Sequence, residues 1–203
     1  AEAVRRAVDR SGARRKAAAA KLETAVTKEL KPLKLDKAKF AVAVHALTLE
    51  QATAAGHDAV EFQIATNPGA PAGPLTRIVS GGELARVILA LKVVLAERGT
   101  APTLIFDEVD QGIGGAVADA VGARLARLGR QAQVLVVTHS PQVAARGDRH
   151  FRIHKKTAGG VTLTGVSALD EAGRREEIAR MLSGASITDE ARAAAETLLA
   201  ARG

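Results

Sequence analysis

Residues 103–140 read TLIFDEVDQGIGGAVADAVGARLARLGRQAQVLVVTHS, and the fold turns on this stretch. It opens with a short apolar run, Thr103 to Phe106, that stops at Asp107-Glu108. It closes with a second run, Val134 to Val137, that stops at Thr138-His139-Ser140. Between the runs, residues 114–130 read as a helix. Continuous apolar strands alternating with helices indicate a parallel sheet covered on both faces. Parallel neighbours would bring both polar ends to one carboxyl edge, where open α/β sheets bind ligands. Asp107, Glu108, Thr138 and His139 serve no packing purpose at strand ends and are expected together there.

Upstream, Ser80-Gly81-Gly82-Glu83 introduces a helix over residues 82–98, with Leu84, Val87, Ile88, Leu91 and Leu95 as its apolar face. The four residues read as a capping box, Ser80 accepting the Glu83 amide. They also read as an anion site, because glycines admit a ligand to the backbone and the helix N-terminus offers free N–H groups. The two readings are compatible. Earlier still, Phe40, Val42 and Val44 alternate with alanines, and Val60, Phe62 and Ile64 with polar residues. That period of two predicts two strands with one buried face each. Residues 67–74, with three prolines and two glycines, read as a loop.

Residues 1–31 read as a helix ended by Pro32. Its apolar stripe (Val4, Val8, Leu22, Val26, Leu30) is too thin for a lone helix and asks for a partner. Beyond residue 149 a hairpin is expected, Phe151 and Ile153 on one arm, Val161 and Leu163 on the other, Gly159-Gly160 at the turn. Helices over 171–182 and 189–200 finish the chain.

The chain has 203 residues, 47% apolar and 25% charged, close to the globular average, which argues against wholesale disorder. It has no cysteine, which excludes a disulfide scaffold, a cysteine nucleophile and a thiolate metal site. No apolar run approaches the roughly 20 residues that span a bilayer. The first residues lack the apolar core of a secretory signal, so a cytoplasmic setting without a membrane is expected. The net charge of +7 resides in residues 1–40, which hold 12 basic and 5 acidic residues, while the remainder is balanced at 17 of each. A basic segment beside a neutral body fits a solvated helix or a nucleic-acid contact. No aromatic side chains are interleaved with those charges, so base stacking there is unsupported.

Adjacent carboxylates have a clear use. One can hold magnesium, which prefers hard oxygen ligands and keeps its waters. The other can orient and deprotonate an attacking water. Gly112-Ile113-Gly114-Gly115 is not a dinucleotide fingerprint: Val109-Asp110-Gln111 intervene after the strand and the final glycine is missing. His150 and His154 are four apart, but Phe151-Arg152-Ile153 between them favours a strand over a helical zinc pair. No G-x-x-x-x-G-K-[S/T] occurs, so the main phosphate-holding loop of a P-loop nucleotidase is absent from this sequence.

In order, Ser80-Gly-Gly-Glu83, Leu104-Ile-Phe-Asp107-Glu108-Val-Asp110 and Thr138-His139 resemble the signature motif, the Walker B strand with its D-loop, and the switch histidine of an ABC-type ATPase head. The longer run is similar to the RecN family of bacterial SMC-like DNA-repair ATPases, most clearly over residues 77–147. The resemblance implies an α/β fold: residues 32–203 as the C-terminal lobe of the head, a largely parallel sheet flanked by helices, and residues 1–31 as the end of a coiled-coil arm. It implies that the Walker A loop lies in an N-terminal lobe of the same protein, which would leave this chain inactive alone. ATP and Mg2+ are the implied cofactors. Asp107 would hold the magnesium, Glu108 would be the general base, and His139 would contact the terminal phosphate. Ser80, Gly81 and Gly82, with Glu83, would cap the phosphate of ATP bound on a second head, and Asp110 would lie at the dimer seam. ATP would join two heads and hydrolysis release them, with DNA as partner, in the bacterial cytoplasm at the nucleoid. Two further readings stay open: a non-catalytic DNA-binding or interaction module, and the head of another ABC-type ATPase.

Overall fold

The computed structural model describes residues 2–48, 50–53, 56–69, 71–77, 80–96, 102–158, 161–184 and 186–201. The chain forms two compact units, Ala1–Arg98 and Gly99–Gly203. None of the helices among the described residues is long and apolar enough to cross a membrane.

The first unit begins with helix α1, Glu2–Leu30. Ala19, Val26 and Leu30 are buried, while Arg6, Arg10, Arg14 and Lys16 stay exposed, so among the described side chains full burial begins at Ala19. Pro32 sits second in a single 3-10 turn, Lys31–Leu33, and Lys34 in the left-handed region ends it. Strands β1 (Lys39–Ala46), β2 (Asp58–Ala65) and β3 (Gly73–Pro74) form an antiparallel sheet in that order. The alternating residues pair face to face, Phe40 with Ile64, Val42 with Phe62, Val44 with Val60. Strand β3 falls inside the expected loop; proline is tolerated there because it lies at a sheet edge, where no N–H is needed. The opposite edge is blocked by α1: the Glu23 carboxylate accepts the Val42 N–H at 2.7 Å.

Helix α2, Gly81–Leu95, buries Val87, Leu89, Ala90, Leu91 and Val93 and leaves Ile88 and Leu95 partly exposed. The buried face is therefore rotated from the expected one. Apolar residues lie almost all round this helix, so spacing alone does not select a face.

In the second unit, β4 (Thr103–Phe106) pairs in parallel with β5 (Gln133–Val136), and α3 (Gly115–Gly129) connects them. Ala118, Val121, Leu125 and Leu128 form the buried face of α3. A short helix α4, Pro141–Arg146, follows β5. Strands β6 (Phe151–Ala158) and β7 (Val161–Ala168) make an antiparallel hairpin whose turn glycines, 159 and 160, lie outside the described residues. Helices α5 (Glu171–Ser183) and α6 (Asp189–Ala200) are capped by the Asp170 carboxylate and the Thr188 hydroxyl. Ile178, Ala179, Ala191 and Ala195 pack with Ala145 of α4 in a small core.

Two expectations are corrected here. Parallel pairing among the described residues is confined to β4 and β5, since β6 and β7 are joined as a hairpin and can only run antiparallel. The β4–β5 pair is also not covered on both faces: Ile105 is 72% exposed, and Leu135 and Val137 are exposed beside it. The α/β class itself holds.

Candidate functional site

Parallel pairing in register, Phe106 opposite Val136, carries both chains to the same edge. The Val137 N–H donates to the Phe106 carbonyl at 3.0 Å and extends the ladder by one residue. Asp107 and Glu108 thus leave β4 beside Val137, Thr138 and His139 leaving β5, as the alternation of strand and helix predicts. Asp107, Glu108 and His139 are all exposed.

Beyond Phe106 the backbone turns sharply. Glu108 sits at φ 57°, a left-handed conformation uncommon for a residue with a Cβ. The Glu108 N–H donates to Asp107 Oδ1 at 2.9 Å, and the Asp107 residue is exposed. The Gln111 N–H closes the turn onto the Glu108 carbonyl at 3.0 Å. On the far side of Glu108, Val109 and Asp110 are buried and anchor the turn. Asp110 points inward: Oδ2 accepts the Thr138 hydroxyl in a short hydrogen bond and the Ser140 N–H at 3.1 Å. His139 Nδ1 lies 3.7 Å from the same oxygen.

Sequence reasoning missed the support behind this edge. Arg174 of α5 is buried and donates to the carbonyls of Ala144 (3.3 Å), Ala145 (2.8 Å), Gly147 and Asp148 (3.4 Å). It thereby satisfies the open C-terminal carbonyls of α4, the helix that starts directly after Ser140. No local pattern marks this role; an arginine in a helix normally reads as solvated.

In the first unit, Ser80 caps α2, its hydroxyl accepting the Glu83 N–H at 3.4 Å. Burial lowers the pKa of Arg86 one turn on, with Glu83 opposing that shift. Gly81 and Gly82 form the first turn of α2, whose remaining N–H groups have no intrahelical acceptor.

The donor set suits magnesium in part. No group of three or more His, Asp or Glu side chains able to hold a metal occurs among the described residues. Magnesium is commonly held by one or two carboxylates with water and substrate phosphates, and Asp107 offers one such oxygen.

No family model matches the chain. Among curated proteins it is 46% identical over 195 residues to a DNA repair protein RecN of Xylella fastidiosa, covering 96% of this chain and 35% of that protein. The chain is homologous to RecN. A RecN of Rickettsia prowazekii is likewise 46% identical over 187 residues, covering 92% of this chain and 33% of that protein. The chain spans about a third of the length of the RecN proteins it matches. Among solved structures, an Smc head domain with a coiled coil and joint from Pyrococcus yayanosii aligns with TM-score 0.54 and 20% identity over 77% of this chain and 28% of that one. At that identity the likeness concerns the fold: an α/β head with a coiled-coil helix.

Proposed function

We propose that this chain is the C-terminal part of an ATP-hydrolysing head in a RecN-type DNA-repair protein. In this reading residues 32–203 are the lobe and residues 1–31 the end of a coiled-coil arm. ATP held between two heads joins them, and hydrolysis releases them. The observation that carries the reading is the shared edge: two adjacent carboxylates and one imidazole leave neighbouring parallel strands together. The turn at Glu108 adds to it, since a left-handed non-glycine residue is a strained conformation of the kind found at functional sites.

Magnesium, when bound, supplies charge neutralisation for the phosphates. Asp107, exposed at the edge, would hold it. Glu108 orients the attacking water and takes its proton. His139 donates to the terminal phosphate oxygen. Ser80, Gly81 and Gly82, with Glu83 behind them, present helix N–H groups to the phosphate of ATP on the opposite head.

The chain supplies no Walker A loop, so the reading requires an N-terminal lobe of the same protein. The open apolar face of Ile105, Leu135 and Val137 supports a further layer there. The exposed arginines and lysines of α1 support DNA as a partner. The setting is the bacterial cytoplasm at the nucleoid. In the complete protein Glu108→Gln is expected to retain ATP binding and abolish turnover, measured by nucleotide binding and phosphate release. An unchanged hydrolysis rate removes Glu108 from the mechanism.

A further inference from the structure

We infer that Asp110 is a positioning residue for His139, latching the turn after β4 to the loop after β5 within a single head. The inference rests on the proposed role of His139 and deepens it.

One carboxylate oxygen gathers three consecutive residues of the second loop. Oδ2 of Asp110 accepts the Thr138 hydroxyl and the Ser140 N–H, and it lies 3.7 Å from Nδ1 of His139 between them. The Ser140 N–H is shared with Thr138 Oγ1 at 3.0 Å, so the loop is tied internally as well. The His139 side chain is 77% exposed. Its ring is thus open to solvent on one side, while Thr138 is held through its hydroxyl, Ser140 through its N–H, and Oδ2 of Asp110 stands beside Nδ1. The other end of the latch is equally fixed. Asp110 belongs to the hydrogen-bonded turn that holds Glu108, with the Ile113 N–H on the Asp110 carbonyl at 3.3 Å. That turn keeps its own backbone hydrogen bonds, the Gln111 N–H on the Glu108 carbonyl at 3.0 Å among them, so losing the Asp110 carboxylate frees the second loop and leaves Glu108 in place.

The charge itself needs a reason. Asp110 is 1% exposed, and its Oδ1 has no hydrogen-bond partner among the described residues. A buried carboxylate with one oxygen unbonded is costly. An asparagine would hold Thr138 and Ser140 through its carbonyl at lower cost. The negative charge contributes one thing that an asparagine would not, attraction on the imidazole beside it.

The test uses the complete protein and steady-state ATP hydrolysis. Asp110→Asn keeps both hydrogen bonds and removes the charge; Asp110→Ala removes both. At metal sites, loss of a group that orients a ligand side chain costs about 10- to 100-fold, and the same scale is expected for a group that orients the imidazole. We expect kcat to fall in the order Asp, Asn, Ala, with Ala lower by about that range and KM for ATP within about threefold. In a His139→Gln background Asp110→Ala should cause no further loss, because its effect passes through the ring. Multiplying losses in the double variant, or a change confined to KM, would overturn the latch and leave the proposed function standing. A His139→Gln protein that hydrolyses ATP at the normal rate would overturn the role of His139 and the latch with it. If Asp110→Ala fails to fold by circular dichroism, Asp110→Asn and Thr138→Val carry the same double-variant comparison.

Discussion

Glu108 offers the sharpest test of whether this edge is built for chemistry at the expense of stability. Its φ of 57° places a Cβ against the following carbonyl. For an L-residue that conformation costs roughly 1–2 kcal/mol, and asparagine tolerates it best. Glycine removes the clash but gives back roughly 0.5–1 kcal/mol through the freedom of its unfolded chain. Glu108→Asn should therefore stabilise the second unit by about 0.5–1 kcal/mol, Glu108→Gly by about 0.5, and Glu108→Val should destabilise it. With a urea slope of about 2 kcal/mol per molar, the asparagine variant moves the midpoint up by about 0.3–0.5 M. The chain has no Trp or Tyr, so unfolding is best followed by far-UV circular dichroism. The same three substitutions should abolish turnover in the complete protein, since none of the new residues accepts a proton from water. A midpoint that stays or falls in Glu108→Asn would refute the strain argument. A stabilised variant that still hydrolyses ATP normally would refute its link to catalysis.

Two further outcomes follow from the packing of the second unit. Replacing a mid-helix glycine by alanine normally gains roughly 0.5–1 kcal/mol. At Gly122 of α3 the new Cβ would meet Arg146 Cγ at 2.9 Å, the Gln142 carbonyl at 3.2 Å and Val143 Cα at 3.3 Å. Gly122→Ala should therefore lose about 1–3 kcal/mol as α4 is pushed away, and a raised melting temperature would show that α4 yields freely. His150 gives a pH dependence. Burial holds its imidazole below the ordinary 6.5, the Arg174 charge adds to this, and Glu177 opposes it. The unfolded chain then binds more protons than the folded one in this range. Stability from the neutral ring is complete above about pH 6.5 and is lost as pH falls from there through the folded value. Glu177, held below the ordinary 4.5 chiefly by its hydrogen bond to Arg180, acts in a lower window, losing its contribution as pH falls below 4.5 through its folded value. Between pH 7.5 and 5.5 the wild-type urea midpoint should drop more than that of His150→Gln, and equal drops would remove His150 as the cause.

How much of this was legible depends on how local each cause is. The parallel pair was readable because two apolar runs and a helix between them leave few topologies, and the polar ends then share an edge. The Ser80 cap was readable because its partner, Glu83, is three residues away. The buried face of α2 was not, because a helix apolar on most sides carries no directional pattern. The open face at Ile105 and Leu135 was not either: an apolar strand reads the same whether its cover lies in this chain or outside it. Asp110 shows the deeper reason. An aspartate after a strand reads as a surface turn residue. Its burial is decided by a hydroxyl and an amide from residues 138–140, about thirty positions away, which no local window contains. Glu108 is the complement, exposed and strained with buried Val109 and Asp110 immediately beyond it. The backbone around it is thus dictated by its neighbours' contacts, and local preference loses at the residue proposed as the general base. A site assembled this way resists being read from sequence because positions where local rules fail are the ones tertiary contacts have claimed for function.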